Sequence, residues 1–524
     1  MTSDTVAQIR AGYTFDSPTL ELGVALDGDA PVKDVPIGIP LSMLNRHGLI
    51  AGATGTGKTV TLQVLAEQLS RAGVPVFASD IKGDLSGIGA PGVASDKLTK
   101  RLEAAGQEWA ASANPTEFYT LGDSGLGTPL RATVTSFGPI LLSKVLELND
   151  TQESVLSLVF HYADKSGLTL LDLSDLQSLL GFLTSAEGKE DLAGIGGASK
   201  ASVGVILRKI SELSAQGGDV FFGEPEFDTA DLLRVDDNGA GIVSVLELQK
   251  LSQSPALFST FLMWLLADLF QDLPEVGDAD KPSLVFFFDE AHLLFADASK
   301  AFLQSVTQTV RLIRSKGVGV FFVTQTPGDV PDDVLAQLGS RIQHQLRAHT
   351  PNDAKALKAT VQTFPKSDFD LEEMLTTLGI GEAVVTVMDP EGAPTPVAPT
   401  RLRAPESKIG PMGEDEVRAA VRASPQFAKY GETVDRESAR EILTARLEKG
   451  AQVSAEETPT EAEPSRVEVP EVPTDRRGSG PSQSKKDETN LFTQVVQSSA
   501  FKQFTRTAAR EIARGLFGTS RRRR

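Results

Sequence analysis

The sequence predicts an α/β fold, a parallel sheet with helices on both faces, and three observations carry that expectation. Short apolar runs alternate with helix-period segments as far as residue 400, as strands buried on both faces of a parallel sheet do. One run opens into a glycine-rich turn beginning at Gly52, and an amphipathic helix leaves that turn. Another run ends in two adjacent acids, Asp289 and Glu290.

The strand-like runs are LIA (49–51), VPVFAS (74–79), GIVSVLEL (241–248), SLVFFFD (283–289), GVGVFFVT (317–324) and EAVVTVM (382–388), with RIQHQL (341–346) as a further strand. Helical periodicity fills the intervals, for example over Lys58–Arg71 and Lys300–Lys316. Residues 1–45 read as a short β-type segment and 46–405 as the main domain. Within it, 90–235 reads as a mostly helical insertion because strand patterns are sparse there. Residues 406–453 read as a helical extension. Residues 454–487 are rich in Pro, Glu, Ser and Thr and poor in large apolar side chains. Such a composition does not repay its ordering entropy, so a disordered acidic linker is expected. Over 488–524, Phe501, Phe504, Ala508, Ile512 and Leu516 recur at helical spacing, with Lys502, Arg506, Arg510 and Arg514 opposite them and Arg521–Arg524 at the end. That is a basic amphipathic helix.

Composition narrows the function classes. The 524 residues are 40% hydrophobic and 23% charged, which is globular. No apolar run reaches the ~18 residues of a membrane span, and MTSDTVAQIR lacks the features of a signal peptide. A cytoplasmic protein is expected. Zero cysteines exclude disulfides, thiolate nucleophiles and cysteine-ligated zinc. The net charge of −19 argues against a chain-wide nucleic-acid surface, although the tail is unevenly charged.

The turn Gly52, Ala53, Thr54, Gly55, Thr56, Gly57, Lys58, Thr59, Val60 contains G-x-x-x-x-G-K-[ST] between a strand and a helix. Its glycines let backbone N–H groups converge on phosphate oxygens at the positive end of the helix. Lys58 is expected to reach the β- and γ-phosphates and the Thr59 hydroxyl to ligate Mg²⁺. At the tip of the LVFFF strand, Asp289 suits the Mg²⁺ shell and Glu290 the attacking water. Together these point to ATP hydrolysis with Mg²⁺.

Weaker signals surround this pair. Gln325, at the end of GVGVFFVT, reads either as a strand cap or as an amide that senses the γ-phosphate or positions water. Asp80, after VPVFAS, reads as a second acid near the metal or as the start of the loop DIKGDLSG. Arg311 and Arg314 share a helical face ahead of the Gln325 strand, and Arg341 and Arg347 flank RIQHQL. Any of them could act on a neighbour's γ-phosphate or simply be solvated.

The segments NRHGLIAGATGTGKT, FASDIKGDLSG, LVFFFDEAHLLF, the stretch from Arg311 to Ala359 and EAVVTVMDPEG resemble the bacterial HerA-like ATPases of the HerA/FtsK superfamily. The similarity runs from residue 15 to 405, and REIARGLFG near the end also resembles that branch. The resemblance implies a RecA-like P-loop ATPase core in a homohexameric ring, with ATP at the subunit interfaces. By motif position, Lys58 and Thr59 form the phosphate-loop pair, Asp289 supports Mg²⁺, Glu290 is the catalytic acid and Gln325 the polar sensor. Asp80 is the acid after the second strand, and Arg314 or Arg311 acts in trans. Residues 1–45 are too few for the β-barrel that docks a nuclease in characterised HerA proteins, so that partner is not expected.

Two functions follow. One is a motor on double-stranded DNA, whose pore needs locally basic residues such as Arg208, Lys209, Lys316 or Lys82. The other is an ATPase acting on a protein or at a membrane surface, docked through the basic C-terminal helix. That helix could equally pack its apolar face back onto the core.

Overall fold

The apolar runs form strands of a single twelve-stranded sheet in a computed structural model that describes residues 3–122, 125–249, 255–277, 279–295 and 300–456. In chain order the strands are β1 (Thr19–Asp27), β2 (Ala30–Pro40), β3 (Gly48–Ala51), β4 (Val76–Asp80), β5 (Thr116–Leu121), β6 (Thr128–Leu130), β7 (Val243–Glu247), β8 (Leu284–Phe288), β9 (Val318–Thr324), β10 (Ser340–Gln343), β11 (Glu382–Thr386) and β12 (Ala398–Leu402). Across the sheet they run β2-β1-β12-β11-β10-β3-β9-β8-β4-β7-β5-β6. From β10 to β6 every pairing is parallel. The pairings from β10 through β11, β12 and β1 to β2 are antiparallel.

Alternation along the central strands feeds two cores. Ile50, Val285, Phe287, Phe321 and Val323 face one side, where they meet Leu62, Leu65 and Leu69 of the helix Lys58–Arg71. Leu49, Phe77, Phe286, Phe288 and Phe322 face the other, which is covered from the helices Val134–Val145, Asp150–Lys165, Leu173–Thr184, Lys200–Ala215, Pro255–Asp272 and Lys300–Ile313. With both faces covered, the strands lose the polar alternation of a solvated sheet.

The region 90–235 is not helical throughout. After a helix at Asp96–Ala105, β5 and β6 extend the parallel sheet, and the run of consecutive helices begins at Val134. β5 (TEFYTL) carries polar residues whose partners lie far along the chain: buried Glu117 pairs with Arg234 at 3.2 Å. Residues 1–45 hold a helix, Ser3–Gly12, as well as two long strands, and those strands belong to the same sheet.

Beyond β12 the chain returns to the phosphate-loop helix. Buried Glu67 accepts the Glu406 N–H at 3.0 Å, the Ser407 N–H at 3.2 Å and the Ser407 hydroxyl at 2.9 Å. Gln63 Nε2 donates to Ser407 Oγ and to the Lys408 carbonyl. Helices follow at Glu414–Ala423, Pro425–Tyr430 and Ala439–Glu456. Residues 1–446 form one unit and 447–524 a second. The first residues of the linker expected over 454–487 belong to the helix ending at Glu456; the rest of that linker and the expected basic helix over 488–524 lie outside the described residues.

Glu67→Ala strands buried N–H donors on the returning segment. It should cost about 1–3 kcal/mol, read as a lower urea midpoint. An unchanged midpoint would show that the clamp contributes nothing.

Candidate functional site

Parallel register brings the chemistry to one edge. Ala51 pairs with Thr324 and Phe322 with Phe288, so β3, β9 and β8 end side by side. β4 adjoins β8, and Asp80 pairs with Glu247. The phosphate loop, Gln325, Asp289–Glu290, Asp80 and Glu247 therefore all lie at the carboxyl ends of adjacent strands, where ligands gather in such sheets.

The loop is shaped by backbone conformation and by its neighbours. Gly55 (φ +82°) and Gly57 (φ +114°) adopt left-handed backbone, which only glycine enters without strain. A Cβ on Gly55 would meet nothing within 4 Å, whereas one on Gly52 would lie 2.4 Å from His344 Cβ. The loop is thus open on its outer side and pressed against β10 below. The Gly52 N–H donates to the Thr324 carbonyl at 3.2 Å, Ala53 N–H to Gln345 O at 2.8 Å, and Gly381 N–H to Thr56 O at 3.0 Å. Lys58 is buried, and its ammonium donates to the loop's Ala53 carbonyl at 3.2 Å. Burial holds its pKa below the usual lysine range. Thr59 and Val60, half-buried, open the helix.

His344 was not anticipated from sequence. The Thr61 hydroxyl donates to the Gly57 carbonyl at 3.2 Å and lies 3.0 Å from His344 Nε2. With that proton committed, Nε2–H is the donor. Burial pushes the ring down to about 3, so it supports the loop as a neutral group.

The acids differ from one another in their environments. Asp289 is buried; its N–H donates to Ser79 Oγ at 3.1 Å, and its Oδ1 accepts the Glu290 N–H at 2.9 Å. Burial, then the neighbouring Glu290 charge, pushes it up to about 7. Both Asp80 oxygens accept backbone amides, from Gly83 at 2.6 Å and Leu85 at 2.8 Å, so in this arrangement Asp80 shapes the loop after β4. Gln325 is exposed beside the phosphate loop, ahead of a turn that Asp329 closes by accepting from Thr324 Oγ1 and Thr326 N. The residues fit a magnesium ion. Asp289 resists ionising without a nearby cation, and a hydroxyl and a carboxylate are hard oxygen ligands. Among the described residues no group of three or more His, Asp or Glu side chains could hold a metal alone.

Arg311 and Arg314 lie at the opposite edge. With Arg46 and His47 they line a pocket of about 530 Å³ at the amino ends of β3, β9 and β10. β9 has seven residues; at ~3.3 Å each it puts roughly 20 Å between this pocket and the chain's own phosphate loop. His47 Nδ1 accepts the Val320 N–H at 3.1 Å, leaving the proton of the neutral ring on the buried Nε2. Arg347 instead reaches its own loop, donating to the Thr54 carbonyl at 3.2 Å, and Arg341 bonds Thr363. Of the basic residues considered for a pore, Lys209 pairs with Glu147 and Glu212, Lys316 donates to the Leu273 carbonyl, and Lys82 pairs with Glu290.

The family model for the Helicase HerA-like C-terminal region matches residues 28–524. The chain belongs to that family. It is 22% identical over 384 residues to the DNA double-strand break repair helicase HerA of Sulfolobus acidocaldarius, covering 71% of this chain and 67% of that protein. To the HerA of Sulfurisphaera tokodaii it is 24% identical over 375 residues, with the same coverage. Among solved structures, the conjugative coupling protein TrwB matches with a TM-score of 0.49 at 16% identity, covering 78% of this chain and 94% of that one.

Glu247, beside Asp80, is pushed up to about 8 by burial and then by the charges of Asp80 and Asp84. As pH rises from 4.5 to about 8, the unfolded chain ionises this group while the folded chain keeps it protonated, so its burial increasingly destabilises the fold. Glu247→Gln should therefore gain stability over the unmutated protein across that window and level off above it. Urea midpoints across pH measure this, and a constant difference would refute the assignment.

Proposed function

We propose that the chain is an ATP-hydrolysing motor that works as a homohexameric ring and moves along double-stranded DNA in the cytoplasm. One observation carries the reading. The phosphate loop and acids occupy one edge of the parallel strands while the arginine pocket occupies the other, so a complete site needs two subunits. Family membership and the relatives' description as DNA repair helicases support the substrate.

The residues divide the work. Loop N–H groups from Gly52 to Gly57, with Lys58, hold the triphosphate at the start of the helix. Thr59 and Asp289 would hold Mg²⁺, which when bound would neutralise charge on the phosphate oxygens, while Asp80 shapes the loop beside them. Glu290 takes a proton from the attacking water as the bond from the γ-phosphorus to the ADP oxygen breaks, and Gln325 orients that water or the γ-phosphate. Arg314, with Arg311 in the same pocket, stabilises charge on the neighbouring subunit's γ-phosphate.

The deciding experiment is steady-state ATP hydrolysis with and without linear duplex DNA at low salt, over a Lys58→Ala background. Stimulation by duplex supports the motor. Hydrolysis indifferent to DNA favours the alternative, a protein or membrane-surface partner docked through the C-terminal segment. No hydrolysis above background overturns the ATPase itself. Glu290→Gln should bind ATP yet turn over about a hundred-fold more slowly or worse. Mixing Arg314→Ala with Glu290→Gln subunits should recover activity at hybrid interfaces; no recovery counts against Arg314 in trans.

A further inference from the structure

Glu290, the proposed base, is already engaged. Lys82 Nζ pairs with its Oε1, and His292 Nδ1 lies 3.2 Å from its Oε2. The contact with Lys82 joins an ammonium directly to the carboxylate. The two partners differ in freedom. The Glu290 side chain is 6% exposed and that of Lys82 is 42% exposed. Glu290 also sits at φ 48°, a left-handed conformation unusual outside glycine and often found where function over-determines the backbone. It is fixed there by Glu290 N–H to Asp289 Oδ1 and by Ala291 N–H to the Val323 carbonyl, both 2.9 Å. If the pair separates, the lysine moves.

The loop carrying Lys82 is built to present it. Asp80 gathers the Gly83 and Leu85 amides. Gly83 takes φ +76° with the Gln249 side chain where a Cβ would stand. Lys82 is thus held over the strand tips on a short, internally bonded loop whose outer side meets solvent.

We propose that Lys82 is a positioning residue that masks Glu290, and that hydrolysis requires the ammonium to leave the carboxylate. A carboxylate whose oxygen is engaged by an ammonium turns that oxygen away from the attacking water. The inference rests on Glu290 being the base, and it gives the loop DIKGDLSG a role in controlling the rate.

The test is DNA-free ATP turnover by the full chain. Lys82→Met keeps the length and removes the charge. It should raise kcat about three- to five-fold, the scale of a partly exposed ion pair, while Lys82→Arg stays at the unmutated rate. In a Glu290→Gln background the same Lys82→Met change should leave kcat unaltered, because nothing remains to unmask. A kcat that is unchanged or lower in Lys82→Met, with an unshifted melting temperature, overturns the mask. So does an equal effect of Lys82→Met with and without Glu290. If Lys82→Met melts early, Lys82→Gln carries the same comparison. Failure of the underlying ATPase reading looks different: the unmutated protein itself would not exceed the Lys58→Ala background.

Discussion

The parallel register of β10, β3, β9, β8 and β4 is the constraint on which the rest depends. Parallel strands point all their carboxyl ends the same way, and here the residue pairs are level: Ala51 with Thr324, Phe288 with Phe322, Ser79 with Phe288. A one-residue slip would turn every side chain to the opposite face and separate the phosphate loop from the acids two strands away. The same directionality sends Arg46, His47, Arg311 and Arg314 to the far edge. One sheet therefore carries the phosphate loop and the acids at one edge and the arginines at the other, and its polarity keeps the two from meeting within one chain.

Buried charge separates the acids that shape the fold from those suited to chemistry. Glu67 and Asp80 accept backbone amides that offset only part of their burial, which still pushes both carboxyls up, Asp80 to about 6. Asp289 receives a single amide and is pushed up to about 7, so it gains most from a cation. Glu290 has Lys82 instead, a partner whose side chain is partly exposed. A buried ion pair is a poor source of stability, and its place here is better understood through what the exposed partner can do.

The sequence was most legible where the signal is local. Every apolar run from Gly48 to Thr386 that reads as a strand is one, and the phosphate loop sits where Gly-Lys-Thr requires it. β5 and β6 were hidden because their polar residues are satisfied by distant partners such as Arg234, which no window of sequence contains. Arg46, His47 and His344 escaped notice for a similar reason. The two histidines gain meaning from elements far away in the chain: His47 from Val320 of β9, His344 from Thr61 of the phosphate-loop helix. Lys82 was visible as a basic loop residue, but its contact with Glu290 joins positions more than two hundred apart.

Those distant contacts also explain why the site is not an isolated edge. The returning segment after β12 bonds to both elements that flank the chemistry. On one side Glu67 and Gln63 of the phosphate-loop helix hold Glu406, Ser407 and Lys408. On the other, Lys408 N–H donates to the Ala90 carbonyl and Met412 N–H to Ser86 Oγ, at the end of the loop that carries Lys82. Gly87 is approached so closely by the Lys408 and Gly410 carbonyls that a Cβ would lie 2.3 and 2.1 Å from them. The helix that follows the triphosphate site and the loop that carries Lys82 are therefore tied to one strap. Neither can shift independently of the other without breaking buried hydrogen bonds, and that strap leads directly into the C-terminal helices.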